Sequence, residues 1–134
     1  MPSKMRLQRI SERIREELSE MVIMEINDPR LSGISITDVT VDREFTYADI
    51  YVSAIEGHER ADEVLEGLAH ANGYLRKALA ERVELRIFPR LRFHWDPTPE
   101  KADQIERLIA SLHAEEEARA ASEDDTKDDT QDKG

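Results

Sequence analysis

A two-layer α+β fold, with helices laid over one face of a small sheet, is what this sequence predicts. Two stretches, near residues 4–26 and 58–82, carry apolar residues at three- and four-residue steps. Between them lie two consecutive segments with strand-like composition, and a third alternating segment follows at residues 87–95.

Leu7, Ile10, Ile14, Leu18, Met21 and Val22 place one apolar stripe on a helix over about residues 4–26. "NDPRLSG" (27–33) ends it, because Asp28-Pro29 breaks helices. "ISITDVTV" (34–41) is rich in β-branched residues and reads as a strand; its alternation changes phase between Ile36 and Val39, which predicts a bulge. "DREFT" (42–46) is the hairpin connection. In "YADIYVSA" (47–54), Ala48, Ile50, Val52 and Ala54 face one way, and Tyr47, Asp49, Tyr51 and Ser53 the other. After Gly57 a helix begins near His58. In "IFPRLRFHW", Leu91, Phe93 and Trp95 oppose Arg90, Arg92 and His94. The order is α-β-β-α-(break)-α-β. Beyond it, Thr98 and Pro99 suit the start of one more helix, to about residue 121, with a narrow stripe of Ile105, Leu108, Ile109 and Leu112. "SEDDTKDDTQDKG" (122–134) holds no apolar residue and is expected to be disordered.

The break falls in "LEGLAHANGYLRKALAER" (65–82), where Asn72 and Gly73 interrupt an otherwise unbroken stripe of Leu65, Leu68, Ala71, Leu75, Ala78 and Leu79. Gly costs about 1 kcal/mol relative to Ala in a helix interior. A turn here between two short helices would expose unpaired N–H groups at a positive helix end, an anion site that a phosphate backbone could approach where Gly73 lacks a Cβ. The alternative is one long helix, slightly kinked, with Gly73 placed for packing.

The chain has 134 residues, a length for one domain and a modest core. Charged residues make up 37% and aromatics 5%, so the core must be aliphatic. The absence of Cys excludes a disulfide framework and a thiolate nucleophile. "MPSKMRLQRI" lacks the apolar run of a signal peptide, and no segment approaches the roughly 20 apolar residues that span a bilayer; a soluble cytoplasmic protein is expected. The net charge of −11 is uneven: residues 1–95 hold 14 Lys and Arg against 17 Asp and Glu, residues 96–134 hold 5 against 13. The acidity belongs mainly to the tail, and the body has room for basic patches.

No HExxH, P-loop, GxGxxG or GxSxG motif occurs, and His58, His70, His94 and His113 show no metal-ligand spacing. His94 and Asp96 flank Trp95, a spacing better read as an exposed pair than as a metal site. Neither enzymatic activity nor a cofactor is expected. Two basic groupings remain. Arg6, Arg9 and Arg13 share a face of the first helix, with Lys4 nearby. Arg76, Lys77, Arg82, Arg86, Arg90 and Arg92 outnumber Glu81 and Glu84 by four over residues 76–92. Guanidinium groups bind phosphate bidentately and stay charged. Each grouping alone suits a solvated face; together they favour nucleic acid.

The order of elements resembles a type II KH domain, an RNA-binding fold, although the GxxG loop of KH domains is missing. The ribosome-binding factor A family resembles KH domains in topology and carries an Ala-x-Gly kink at that point, here Ala71-Asn72-Gly73. Asp28, Pro29, Arg30, Leu31, Asp38, Val39 and Val41 are similar to the family's approach to its first strand and the strand itself. Arg43 matches the Arg that follows, and Ala48, Tyr51, Val52 and Ser53 match the second strand. Leu85, Arg86, Pro89, Leu91, Phe93 and Asp96 resemble the final strand, so the likeness covers about residues 4–112. Asp49 stands where a Lys is usual and Arg90 where Glu is frequent.

That resemblance implies residues 1–96 as a KH-like RNA-binding domain, while the sequence pattern itself sets off 97–121 as a C-terminal amphipathic helix and 122–134 as the disordered acidic tail, which matches nothing in the family. The resemblance implies a non-enzymatic assembly factor whose partner is the free or immature 30S subunit with its 16S rRNA; a monomer is expected. The factor would support late maturation and processing of the RNA's 5′ end, with no membrane and no small-molecule substrate. The expected RNA contacts are Arg76, Lys77, Arg82, Arg86, Arg90 and Arg92, then Arg43, Lys4, Arg6, Arg9 and Arg13, with Gly73 shaping the kink. A protein-binding module using the 105–112 stripe or a sheet edge, and a small hydrolase, are the rival readings.

Overall fold

The computed structural model describes the backbone of residues 3–132 and the side chains of residues 3–122. Helix α1 (Lys4–Met24) starts at Ser3, whose hydroxyl accepts the Arg6 N–H at 3.1 Å, and buries Ile14, Leu18, Met21 and Val22. Asp28 caps the single turn Pro29–Leu31, accepting the Arg30 N–H at 3.0 Å and gripping the Arg30 guanidinium at 2.8 Å. Strands β1 (Ile34–Val41) and β2 (Tyr47–Ala54) pair antiparallel, with a register shift between Ile36 and Asp38 where the change of phase predicts a bulge. Thr37, the residue released from the ladder, donates its hydroxyl to the Asp96 carboxylate at 2.6 Å. The hairpin loop is closed by Asp42, whose carboxylate accepts the N–H groups of Thr46 and Tyr47 at 2.8 and 2.9 Å.

A short turn, His58–Arg60, leads into α2 (Ala61–Arg82), and β3 (Arg90–Trp95) then runs parallel to β2, giving the sheet order β1-β2-β3. The start of β3 lies later than the expected residue 87, because the first ladder partner of Tyr47 is Arg90. Helices α1 and α2 contribute to one aliphatic core on the face carrying Ala48, Ile50 and Val52, all fully buried. The opposite face carries Tyr47, Asp49, Tyr51, Arg90, Arg92 and His94, each partly or well exposed.

Helix α2 corrects one expectation. It runs unbroken through Ala71, Asn72 and Gly73, so no second helix begins there and no extra N-terminal anion site forms. Leu68 on one side of the pair and Leu75 and Leu79 on the other are fully buried, and their anchorage outweighs one unfavourable glycine. The Asn72 side chain turns away from its own backbone and donates its amide to the Leu91 carbonyl at 3.2 Å. Gly73 does not serve packing either, since an added Cβ would meet nothing within 4 Å. The packing glycine is Gly67, where a Cβ would come 3.0 Å from Leu31 Cδ2 and 3.1 Å from Arg30 Cβ.

By its internal contacts the chain divides after Pro97. The second unit is a helix, α3 (Thr98–Asp132), with ion pairs Asp103–Arg107 at 2.7 Å and Glu115–Arg119 at 3.8 Å along it. Its backbone therefore continues past residue 121, where the sequence expectation ends the helix; alanines 114, 118, 120 and 121 sustain propagation. The side chains of the acidic tail beyond Ser122, and residues 133 and 134 entirely, lie outside the described residues.

Candidate nucleic-acid interface

Three elements meet at the hairpin end of the sheet. The Arg90 N–H donates to the Thr46 carbonyl at 2.9 Å, which joins the first residue of β3 to the β1–β2 loop. Arg76 on α2 reaches the segment that leads into β3, donating Nη2 to the Phe88 carbonyl at 2.7 Å and Nε to the Pro89 carbonyl at 3.2 Å. With the Asn72–Leu91 bond one turn earlier, α2 holds residues 88–91 through three side-chain donors. Around this junction stand Arg43 on the loop, Lys77 beside Arg76, Arg86 on the incoming segment and Arg90 at the strand start. All four are exposed, and their side chains make no ion pair or hydrogen bond among the described residues.

Of the remaining expected contacts, Arg82, Arg13 and Arg92 have charged partners inside the protein. Arg82 is paired with Glu25 and lies 3.6 Å from Glu17, tying α2 to α1. Arg13 pairs with Glu17 at 3.2 Å. Arg92 makes a two-pronged bond to Asp49, at 2.8 and 3.0 Å, and sits 3.9 Å over the Tyr47 ring. Lys4 and Arg6 are exposed and unpaired among the described residues, while Arg9 reaches only the Met5 sulfur at 3.7 Å. No described contact joins the α1 arginines to the hairpin end. Asp49 thus neutralises Arg92 locally, and the free positive charge of β3 rests on Arg90.

Arg76 therefore works first as a fold residue. Arg76→Met should lower the unfolding free energy by about 2 kcal/mol, since the Phe88 and Pro89 carbonyls lose their charged donor. Urea denaturation checks this, and an unchanged midpoint would show that water replaces the guanidinium without loss.

His94 meets Asp49. Its Nε2 lies 2.7 Å from Asp49 Oδ1, and its ring stacks on Tyr51 with centroids 5.1 Å apart. The Arg92 guanidinium holds the Asp49 carboxyl below the usual carboxylate range, burial works against this, and the His94 bond adds to the lowering. Folding thus favours ionised Asp49. Its contribution is present above the ordinary carboxylate range and is lost as pH falls through the depressed folded value. The difference in Tm between the wild type and Asp49→Asn should therefore shrink as pH falls from 7 to 3; a constant difference would rule the linkage out.

Arg60 is a residue that sequence reasoning missed. Its guanidinium donates to the Ser32 and Arg30 carbonyls at 2.6 and 3.0 Å and pairs with Glu56 and Glu63, binding the turn before β1 to the start of α2. Only the spacing of Glu56, Arg60 and Glu63 hints at it. Among the described residues, no helix is long and apolar enough to cross a membrane, and no group of three or more His, Cys, Asp or Glu could hold a metal ion.

A family model described as ribosome-binding factor A matches residues 6–109, which take in the whole sheet, α2 and all of α1 but its first two residues. The chain belongs to the ribosome-binding factor A family. It is 38% identical over 122 residues to ribosome-binding factor A of Alcanivorax borkumensis, covering 90% of this chain and 89% of that one. It is 37% identical over 119 residues to the Azoarcus relative, covering 89% and 94%. The crystal structure of ribosome-binding factor A from Thermus thermophilus superposes with a TM-score of 0.58 at 30% identity, over 66% of this chain and 93% of that one. A homology model of the Thermus thermophilus factor, fitted into a cryo-EM map of a 30S–RbfA complex, superposes at 0.52 with 31% identity, over 62% and 87%. Within the ribosome-binding factor A family match lie all four unpaired cations at the hairpin end.

Proposed function

We propose that this protein is a non-enzymatic assembly factor that binds the free or immature 30S subunit through 16S rRNA. In this reading it supports late maturation of the subunit in the cytoplasm, including processing of the RNA's 5′ end. The observation that carries the reading is family membership over residues 6–109, joined to a relative fitted into a 30S complex. The unpaired cations Arg43, Lys77, Arg86 and Arg90 add a physical means, because phosphate contacts release counterions and supply most of the affinity for RNA. Lys4, Arg6 and Arg9 form a second, separate group of contacts; Arg76, Arg82, Arg92 and Arg13 contribute chiefly by holding the fold. Gly73, exposed and unneeded for packing, leaves room for a phosphate backbone against α2. The protein holds an RNA conformer, and another protein cuts the end.

Cells lacking the protein should accumulate small subunits with unprocessed 16S 5′ ends, corrected by the wild-type chain and not by one with Lys77, Arg86 and Arg90 changed to Glu. Normal 5′ ends in those cells would overturn the processing role while leaving subunit binding to be judged separately. Residues 1–96 are the RNA-binding domain, the helix from Thr98 is an appendage, and the carboxylates of residues 114–134 repel RNA phosphates by their charge alone. Removing residues 114–134 should raise affinity for unrelated RNA at low salt, measured by filter binding; unchanged affinity would reduce the tail to a solubilising role.

A further inference from the structure

We propose that the free edge of β1, with the face of α1 beside it, is a docking groove for a Lys- or Arg-rich peptide segment in extended conformation. Three contiguous depressions in the first unit make the groove. The widest, about 510 Å³, lies between the end of α1 and the connection to β1. It shares Val22, Ile23 and Ile34 with a second of about 190 Å³. The second shares Ser19 with a third of about 330 Å³, lined by Glu12 and Glu16.

Three features of this groove choose the occupant. Among the described residues β1 pairs only with β2, so its outer edge over Ile34–Ile36 presents backbone donors and acceptors along the middle of the groove. An extended peptide can add there as a short strand, and the bulge after Ile36 stops the ladder from growing further. Ile23 stands on the groove wall 74% exposed, a large apolar side chain that the core does not use and that alternate residues of such a peptide would cover. Glu12 and Glu16 are exposed and without ion-pair partners among the described residues, with Arg15 as the cation between them, and Asp38 is exposed just beyond the bulge. Carboxylates on the α1 wall of the groove, with Asp38 capping the Val39 N–H beyond the bulge, repel RNA phosphates and attract basic peptide. The inference is therefore independent of the RNA-binding reading and of the cations at the hairpin end.

The test uses the full chain and a fluorescent ten-residue peptide of alternating lysine and valine as probe. Fluorescence anisotropy should show saturable binding at low salt, at least tenfold tighter than for the glutamate–valine counterpart. Backbone amide shifts on titration should concentrate at residues 19–23 and 34–36. Glu12→Lys combined with Glu16→Lys should weaken binding at least tenfold, and Ser19→Trp, which fills the middle of the groove, should do the same with the circular dichroism unchanged. If the tryptophan variant fails to fold, the paired glutamate variant, which alters only exposed side chains, decides. Shifts confined to the acidic run at 115–132, or affinity untouched by the glutamate changes, would overturn the proposal. So would equal binding of a lysine–proline peptide, which lacks the N–H groups for strand addition and would reveal plain charge capture.

Discussion

Changing Lys77, Arg86 and Arg90 together to Glu is expected to reduce affinity for small ribosomal subunits about a hundredfold or more near 100 mM salt, with far-UV circular dichroism unchanged. These three side chains are exposed and form no internal pair among the described residues, so reversing them removes RNA contacts without removing a fold contact. If each meets one phosphate, the slope of log affinity against log salt should fall by about two to three. Arg82→Glu is the contrasting control. It would set a third carboxylate against Glu17 and Glu25 and should act mainly on stability, by separating α1 from α2. Full affinity in the triple variant would remove the hairpin end as the RNA surface and leave the α1 arginines as the candidates.

The second large effect separates the two glycines of α2. Gly67→Val should lower the unfolding free energy by about 3 kcal/mol, because the first carbon it adds already lies 3.0–3.1 Å from Leu31 and Arg30. Leu31 is itself buried in the core and has little room to withdraw. Gly73→Ala should do the opposite and stabilise by about 1 kcal/mol, since the new methyl group enters open space and the helix loses one of its two glycines. If Gly73 is kept for the close approach of a phosphate backbone, that more stable variant should also bind small subunits less tightly. Gain of stability with no loss of binding would leave Gly73 without a role in recognition. Thermal denaturation of the two variants, followed by subunit binding of Gly73→Ala, settles both halves.

The strands were legible because their physics is local. β-branched content and strict alternation place β1 and β2 at residues 34–41 and 47–54, and the change of phase after Ile36 places the bulge. The continuity of α2 was not legible. A glycine penalty of about 1 kcal/mol is a local signal, whereas the buried Leu68, Leu75 and Leu79 that overrule it act through the sheet. The basic run of residues 76–92 was visible as composition, but composition does not say which cations are free. Arg76 spends its donors on two backbone carbonyls, which leave no trace in side-chain patterns. Arg82 meets Glu25, 57 residues away, and Arg92 meets Asp49, 43 residues away. Gly67 did leave a trace. It follows Val64 by three residues and precedes Leu68, so it stands on the buried side of the stripe, where a missing side chain marks a close neighbour.

The carboxylates of the edge groove stand on α1, whereas the cations of the hairpin end stand on the β1–β2 loop, on α2, before β3 and at its start. Each surface can be disabled without touching the other.

Co-sedimentation of the purified protein with free small subunits, large subunits and assembled ribosomes, at two salt concentrations, tests the central claim most directly. The account predicts binding to the small subunit alone, weakening steeply as salt rises. Binding to none of the three, or binding to the small subunit that does not change with salt, would contradict it.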